Sequence, residues 1–224
     1  MNSFAASARP LQLDHLVVVA ATLEAGARHV TEALGIEPVS GGQHAAMGTH
    51  NRLLNLWGGQ YLEIIAIDPQ APAPARARWF GLDQPAMQAR LAAGPFLAHW
   101  VARVARPKNL ARWQTQYPQR IAPVLPMARG DLTWQITVPD DGALPGEGLL
   151  PTLIQWDTPA HPSSRLPEPQ AALRALSGSH PDPANLQAEL DWLGVEHLIT
   201  LDATPAAAGL IAEFETPSGS RLLK

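Results

Sequence analysis

A chain of 224 residues with a formal net charge of −4 and only 16% charged residues carries no basic footprint for nucleic acid. Its apolar runs are far shorter than a membrane span, and the absence of cysteine excludes thiolate nucleophiles, disulfide staples and sulfur-ligated zinc or iron. The length suffices for one sizeable core or two small fused modules, and 22 prolines and 17 glycines divide it into many short elements.

Residues 1–10 read as a loose arm without the apolar segment of a secretory leader, and a cytoplasmic location is expected. Residues 11–20 form a buried strand carrying one imidazole, His15. Thr22 caps a helix over 23–34, with Leu23, Ala27, Val30 and Leu34 as its apolar stripe, and Gly35 stops it. A short strand at 36–39 precedes a turn at 40–44 (SGGQH). Strands 49–56 and 61–67 form a hairpin around Trp57-Gly58-Gly59-Gln60, and the second carries one acid, Glu63. A Pro/Ala-rich connection leads to a helix over 86–92. Next come a strand at 96–104 with His99, a helix at 108–116 and a strand at 121–125. A turn at Ala128-Arg129-Gly130, an alternating strand at 132–138 and a last strand at 150–156 with Gln155 complete the series.

The order β-α-β-β-β thus occurs twice, over 11–69 and 95–157, with 70–94 as a linker containing a helix. Such a half-sheet cannot bury its apolar face alone, so the two should pair. Residues 168–224 begin the order again, with a strand at 170–177, a helix at 185–193, strands at 197–201 and 210–215, and a final turn at 217–219. This partial third module is expected to pack on the same domain and extend or cover a sheet edge.

Each of four apolar strands therefore places one metal-competent or hydrogen-bonding side chain at its middle: His15, Glu63, His99 and Gln155. His15, His99 and Glu63 suit a divalent ion with open positions, such as Fe(II), Mn(II), Ni(II) or Zn(II). The alternative is a pair of buried histidines hydrogen-bonded inside a cavity without an ion. A carboxylate at the middle of YLEIIAI is costly to bury without a partner, so Glu63 should meet a metal, a histidine or an arginine. His44, His50 and Asn51 flank a Gly-rich segment and can grip an anion or carbonyl, with His50 as a general base. Because His50 and Asn51 are adjacent on a strand, only one can face a cavity. Trp100 and Trp156 alternate with His99 and Gln155 and are expected to pack under the helices.

The segments LDHLVVVA (13–20), GGQHAAMGTHNRLLNL (41–56) and YLEIIAIDP (61–69), in that order and at that separation, resemble the vicinal oxygen chelate superfamily, and more closely its glyoxalase-like domain branch. The later phrases SGSHPDP and FETPSG look like parts of the same branch. The resemblance implies an α+β fold in which paired βαβββ modules form a curved, partly open sheet around a cavity. It implies metal ligands from the first and last strands of both modules: His15, Glu63 and His99. The fourth position falls on Gln155, where active members carry glutamate. The function so implied is a small-molecule enzyme of glyoxalase or dioxygenase-like type, with the metal polarising vicinal oxygens of a small substrate. His50, Glu63 and Gln155 would serve catalysis, and His44, Asn51, Arg52 and Trp134 would bind substrate. No organic cofactor, nucleic acid or membrane is expected, and a homodimer fits. The alternative is a metal-free protein that binds or sequesters a small molecule in the same cavity.

Overall fold

The computed structural model describes residues 11–224, so the expected N-terminal arm lies outside the described residues. Strand β1 (Leu11–Val19) leads into helix α1 (Leu23–Leu34). Thr22 Oγ1 accepts from the Ala25 N–H at 3.2 Å, and Gly35 ends the helix in the left-handed region at φ 72°. Thr22→Ala is expected to cost about 1 kcal/mol, read as a lower urea midpoint.

Strands β2 (Val39–His44), β3 (Thr49–Leu56) and β4 (Gln60–Ile67) complete the first half. The expected turn at 40–44 is part of strand β2. Its glycines answer to crowding rather than to turning: a Cβ at Gly41 would lie 2.1 Å from Asn51 Oδ1, and one at Gly42 2.7 Å from Arg129 Cδ. After helix α2 (Pro85–Ala93) the order repeats as β5 (Phe96–Val104), α3 (Leu110–Gln116), β6 (Val124–Arg129), β7 (Leu132–Thr137) and β8 (Thr152–Trp156). Strand β6 begins later than the sequence pattern indicates and runs through Arg129, with Gly130 turning the chain at φ 59°.

These eight strands form one sheet in the order β2-β3-β4-β1-β5-β8-β7-β6. Each half closes by a parallel pairing of its first and last strands, β1 with β4 and β5 with β8, and the halves join through antiparallel β1 and β5. The sheet curls so far that β2 and β6, at opposite ends of the order, approach one another. The result is a half-barrel of two βαβββ modules.

The remaining elements are β9 (Ala172–His180), α4 (Ala184–Leu193), β10 (Thr200–Ala203), β11 (Gly209–Thr216) and β12 (Gly219–Leu223), whose strands form a second sheet ordered β10-β9-β11-β12. The chain order is again βαβββ, but here β9 pairs with β10 and β11 rather than with the last strand. Strand β12 carries no visible apolar alternation, because only Leu223 of its five residues is buried.

Two apolar clusters divide the core. On the outer face Leu16, Val18, Leu62, Ile64 and Trp100 meet Val30 of α1, Leu110 of α3, Leu190 of α4 and Phe214 of the second sheet. The third module therefore covers the back of the central strands rather than extending their edge. On the inner face Val17, Ile65, Val101 and Ile154 meet Trp79, Phe80, Met87 and Leu91 from the connection between halves. That connection closes the concave side and creates a cavity. Among the described residues no helix is long and apolar enough to cross a membrane.

Candidate functional site

The cavity under that closure is narrow, with about 30 Å³ of free space, room for a water or two. Its polar lining is His15, His44, Asn51, Glu63 and Arg129; its walls are Tyr61, Trp79, Phe80, Trp134, Ile136, Ile154 and Trp156. Glu63 stands on β4 beside Val17 of β1, and strand alternation turns it inward with Tyr61 and Ile65. It is buried, and its partners decide whether such a carboxylate is tolerable. Asn51 Nδ2 donates to Glu63 Oε1 at 2.6 Å. Asn51 Oδ1 in turn accepts from the Gly42 N–H at 2.7 Å and from Arg129 Nη1 at 3.2 Å, so the amide orientation is settled from three sides.

His15 Nε2 lies 3.6 Å from Glu63 Oε2, and His15 Nδ1 bonds Asp14 Oδ1 at 2.7 Å. Adjacent residues of a regular strand face opposite ways; here the β1–β5 register shifts between Leu13 and His15. This irregularity lets Asp14 and His15 turn toward each other. Asp14 Oδ2 also accepts from Trp156 Nε1 at 3.0 Å and His161 Nε2 at 3.1 Å. Burial pushes the Asp14 carboxyl up, but the bonds from His15 and His161 outweigh it and hold the group well below the usual carboxylate range. Asp14 is thus a fixed anion that keeps a proton on His15 Nδ1. Tyr61 stacks on the His15 ring at 4.5 Å and fixes its plane, and burial raises the Tyr61 hydroxyl well above its ordinary value.

His44 faces Glu63 from the other side, with Nε2 4.0 Å from Oε1 and Nδ1 3.2 Å from Thr49 Oγ1. Burial pushes its ring down to about 4 against the attraction of Glu63, so it is neutral near pH 7. Trp79 and Trp134 meet it edge-on, at 5.0 and 6.3 Å between ring centres.

The structure therefore brings together His15, His44, Asn51, Glu63 and Trp134 of the residues singled out from sequence. The others stand elsewhere. His50 and Arg52 alternate with Asn51 and face the outer side, where Arg52 lines a groove with Glu24, Arg28 and Glu32 of α1. Gln155 also faces outward: its Oε1 accepts from the Leu110 N–H at 2.9 Å and its Nε2 donates to Lys108 O at 2.7 Å, fastening the start of α3. Trp156, expected beneath the helices, is the neighbour that lines the cavity. His99 is fully buried with both ring nitrogens engaged. Its Nδ1–H donates to Gly148 O at 3.1 Å, leaving Nε2 to accept from the Thr152 N–H at 3.1 Å. Burial drives that ring down to about 3, opposed by the Gly148 bond.

Asp14, Arg129, Trp79, Trp156 and His161 were not marked from sequence. An acid beside a histidine inside an apolar strand, Asp14-His15, was the available signal. The others come from a segment read as a turn, a wall read as packing, and loops.

His15 faces Glu63 Oε2 and His44 faces Oε1, so the imidazoles flank the carboxylate instead of converging on one point. The inward positions of β8 are Thr152, Ile154 and Trp156, none of them acidic, and the second half adds the Arg129 guanidinium to the cavity. Among the described residues no group of three or more His, Asp or Glu is placed to hold a metal ion. The donor set does not fit a centre shared by the two halves.

A family model described as a glyoxalase-like domain matches residues 13–194. A hypothetical protein from Staphylococcus aureus has a similar structure, with a TM-score of 0.54 at 15% identity over 95% of this chain and 84% of that one. Methylmalonyl-CoA epimerase from Mycobacterium tuberculosis gives a TM-score of 0.44 at 15% identity over 73% of this chain and 98% of that one. At these identities the likeness concerns the fold alone. No curated protein matches the chain.

Proposed function

The chain belongs to the glyoxalase-like domain family of the vicinal oxygen chelate superfamily, and from that premise we propose that it is a small-molecule enzyme that moves a proton at carbon next to a carbonyl, with Glu63 as the base. The observation that carries this reading is the buried Glu63 carboxylate at the cavity wall, one oxygen held by Asn51 at 2.6 Å and the other 3.6 Å from His15 Nε2. Asp14 keeps the Nδ1 proton in place, so a lone pair on Nε2 would face the lone pairs of Glu63 Oε2 and repel them. A proton carried on Nε2 would face Oε2 without that conflict, and it is the proton that His15, backed by the Asp14 charge, would give as the acid of the pair.

In the proposed step Glu63 Oε2 takes a proton from the carbon next to a carbonyl. The C–H electron pair forms the C=C bond of an enol, and the carbonyl oxygen takes the proton from His15 Nε2. Return to the same carbon regenerates the substrate, and it carries solvent hydrogen wherever Glu63 has first traded its proton with water through the cavity mouth. In a 2-hydroxycarbonyl compound, return to the neighbouring carbon gives isomerisation. Neutral His44 and the three tryptophan walls exclude water from the intermediate.

The test is wild-type protein in D2O with a series of small 2-oxo and 2-hydroxy carbonyl compounds, following loss of the α-proton signal by NMR. Accelerated exchange of at least one of them supports the reading; exchange at the buffer rate throughout contradicts it. The same walls, Trp79, Trp134 and Trp156, also favour a second reading as a metal-free binding protein, which predicts saturable binding without acceleration.

A further inference from the structure

Two features of the cavity are unused by the proton transfer, and both are hydrogen-bond donors. Trp79 is 4% exposed and lines the cavity, yet its Nε1–H has no hydrogen-bond partner among the described residues. A buried donor left unpaired is costly, and nearly all such groups find an acceptor. The ring is not free to turn away, since it stacks on Phe80 at 5.6 Å and meets His44 edge-on at 5.0 Å. The second feature is Arg129, at the end of β6. Its Nη1 donates to the neutral Asn51 oxygen at 3.2 Å, and no acidic group of the described residues stands within 4.0 Å of its guanidinium. It reaches this place across the gap between β6 and β2, where Gly42 leaves room for its Cδ.

We propose that Trp79 Nε1–H and the Arg129 guanidinium form an anion-binding pair, and that the molecule taken by this cavity carries a carboxylate next to its reacting carbonyl. This rests on the reading of the cavity as the active site. A carboxylate supplies the acceptor that the indole N–H lacks and the negative charge that the guanidinium fork lacks, and a planar group suits a narrow space between flat rings. It also fits the charges. An anionic group seated beside Arg129 balances the guanidinium while the carbonyl carbon's neighbour faces Glu63. The substrate class is then a short 2-oxocarboxylate or its 2-hydroxycarbonyl relative, not an uncharged aldehyde or ketone.

Binding can be read apart from catalysis by titrating Glu63→Gln protein with short-chain 2-oxocarboxylates, their methyl esters and inorganic phosphate, following tryptophan fluorescence and calorimetry. At least one acid of the series should bind about tenfold or more tightly than its own ester and more tightly than phosphate. Arg129→Gln should abolish that preference, Arg129→Lys should retain part of it, and Trp79→Phe should weaken the acid severalfold while leaving the ester unchanged. Equal binding of acids and esters, or a preference that survives both Arg129→Gln and Trp79→Phe, overturns the inference. Phosphate binding tighter than every acid overturns the carboxylate assignment. Selective acid binding without any α-proton exchange by wild-type protein would sink the proton-transfer reading alone. Glu63-dependent exchange on uncharged compounds without acid preference would sink this inference alone.

Discussion

Replacing Glu63 by glutamine is expected to lower the α-proton exchange rate by about 10²–10⁴-fold while the protein stays folded. Glutamine keeps the shape of the side chain, and its carbonyl oxygen can still accept from Asn51 Nδ2, which now bonds Glu63 Oε1 at 2.6 Å. What disappears is the group that takes the proton. The substitution also removes a buried negative charge between two imidazoles, so its effect on the unfolding midpoint should be small beside its effect on rate. Far-UV circular dichroism and urea unfolding separate the two. Exchange at the wild-type rate by a folded Glu63→Gln protein would move the base to another residue.

Acidification from pH 7 to pH 5 is expected to cost the fold about 2 kcal/mol for each of His44 and His99. Burial holds these rings at about 4 and about 3, below the ordinary 6.5. As the pH falls through 6.5 the unfolded chain takes up a proton at each position, and the folded chain does not until about 4 or about 3. The contribution is therefore complete above 6.5 and is lost progressively down to those values. Both groups are enclosed, so solvent screens little of the effect. Asp14, held below its ordinary value, adds a loss only in stronger acid. Urea unfolding at pH 7 and pH 5 measures the slope, and His44→Gln should remove about half of it. A stability unchanged between these pH values would mean that one or both rings titrate normally.

Much of the architecture was legible because two simple periods carry it. The βαβββ order repeats, the apolar stripe of α1 and its Thr22 cap are explicit, and the inward side chains of β4 follow from alternation. That His15 and Glu63 meet in one cavity was legible for the same reason: a titratable group inside an apolar strand needs a partner. The rest depended on features that alternation hides. Asp14 reaches His15 only through a shift in the β1–β5 register. Gln155 was one residue out of phase with Trp156, and that single step exchanged a cavity wall for a helix fastening. Strand β2 looked like a turn because its glycines make room for Asn51 on the next strand and for Arg129, which lies far away in sequence.

The same long-range packing decides the chemistry. A strand pattern can propose that imidazoles and an acid meet, but not whether they share one point or flank one another. Here His15 and His44 stand on different oxygens of Glu63, and the second half answers with Arg129 and tryptophans. That arrangement is the one the proposed acid–base pair and anion grip require.

The most direct measurement is α-proton exchange in D2O by wild-type protein that has been exhaustively treated with chelator, with and without added Fe(II), Mn(II), Ni(II) or Zn(II). One rate is expected under all these conditions, lost in Glu63→Gln. Exchange that vanishes with the chelator and returns with one of the ions would contradict it.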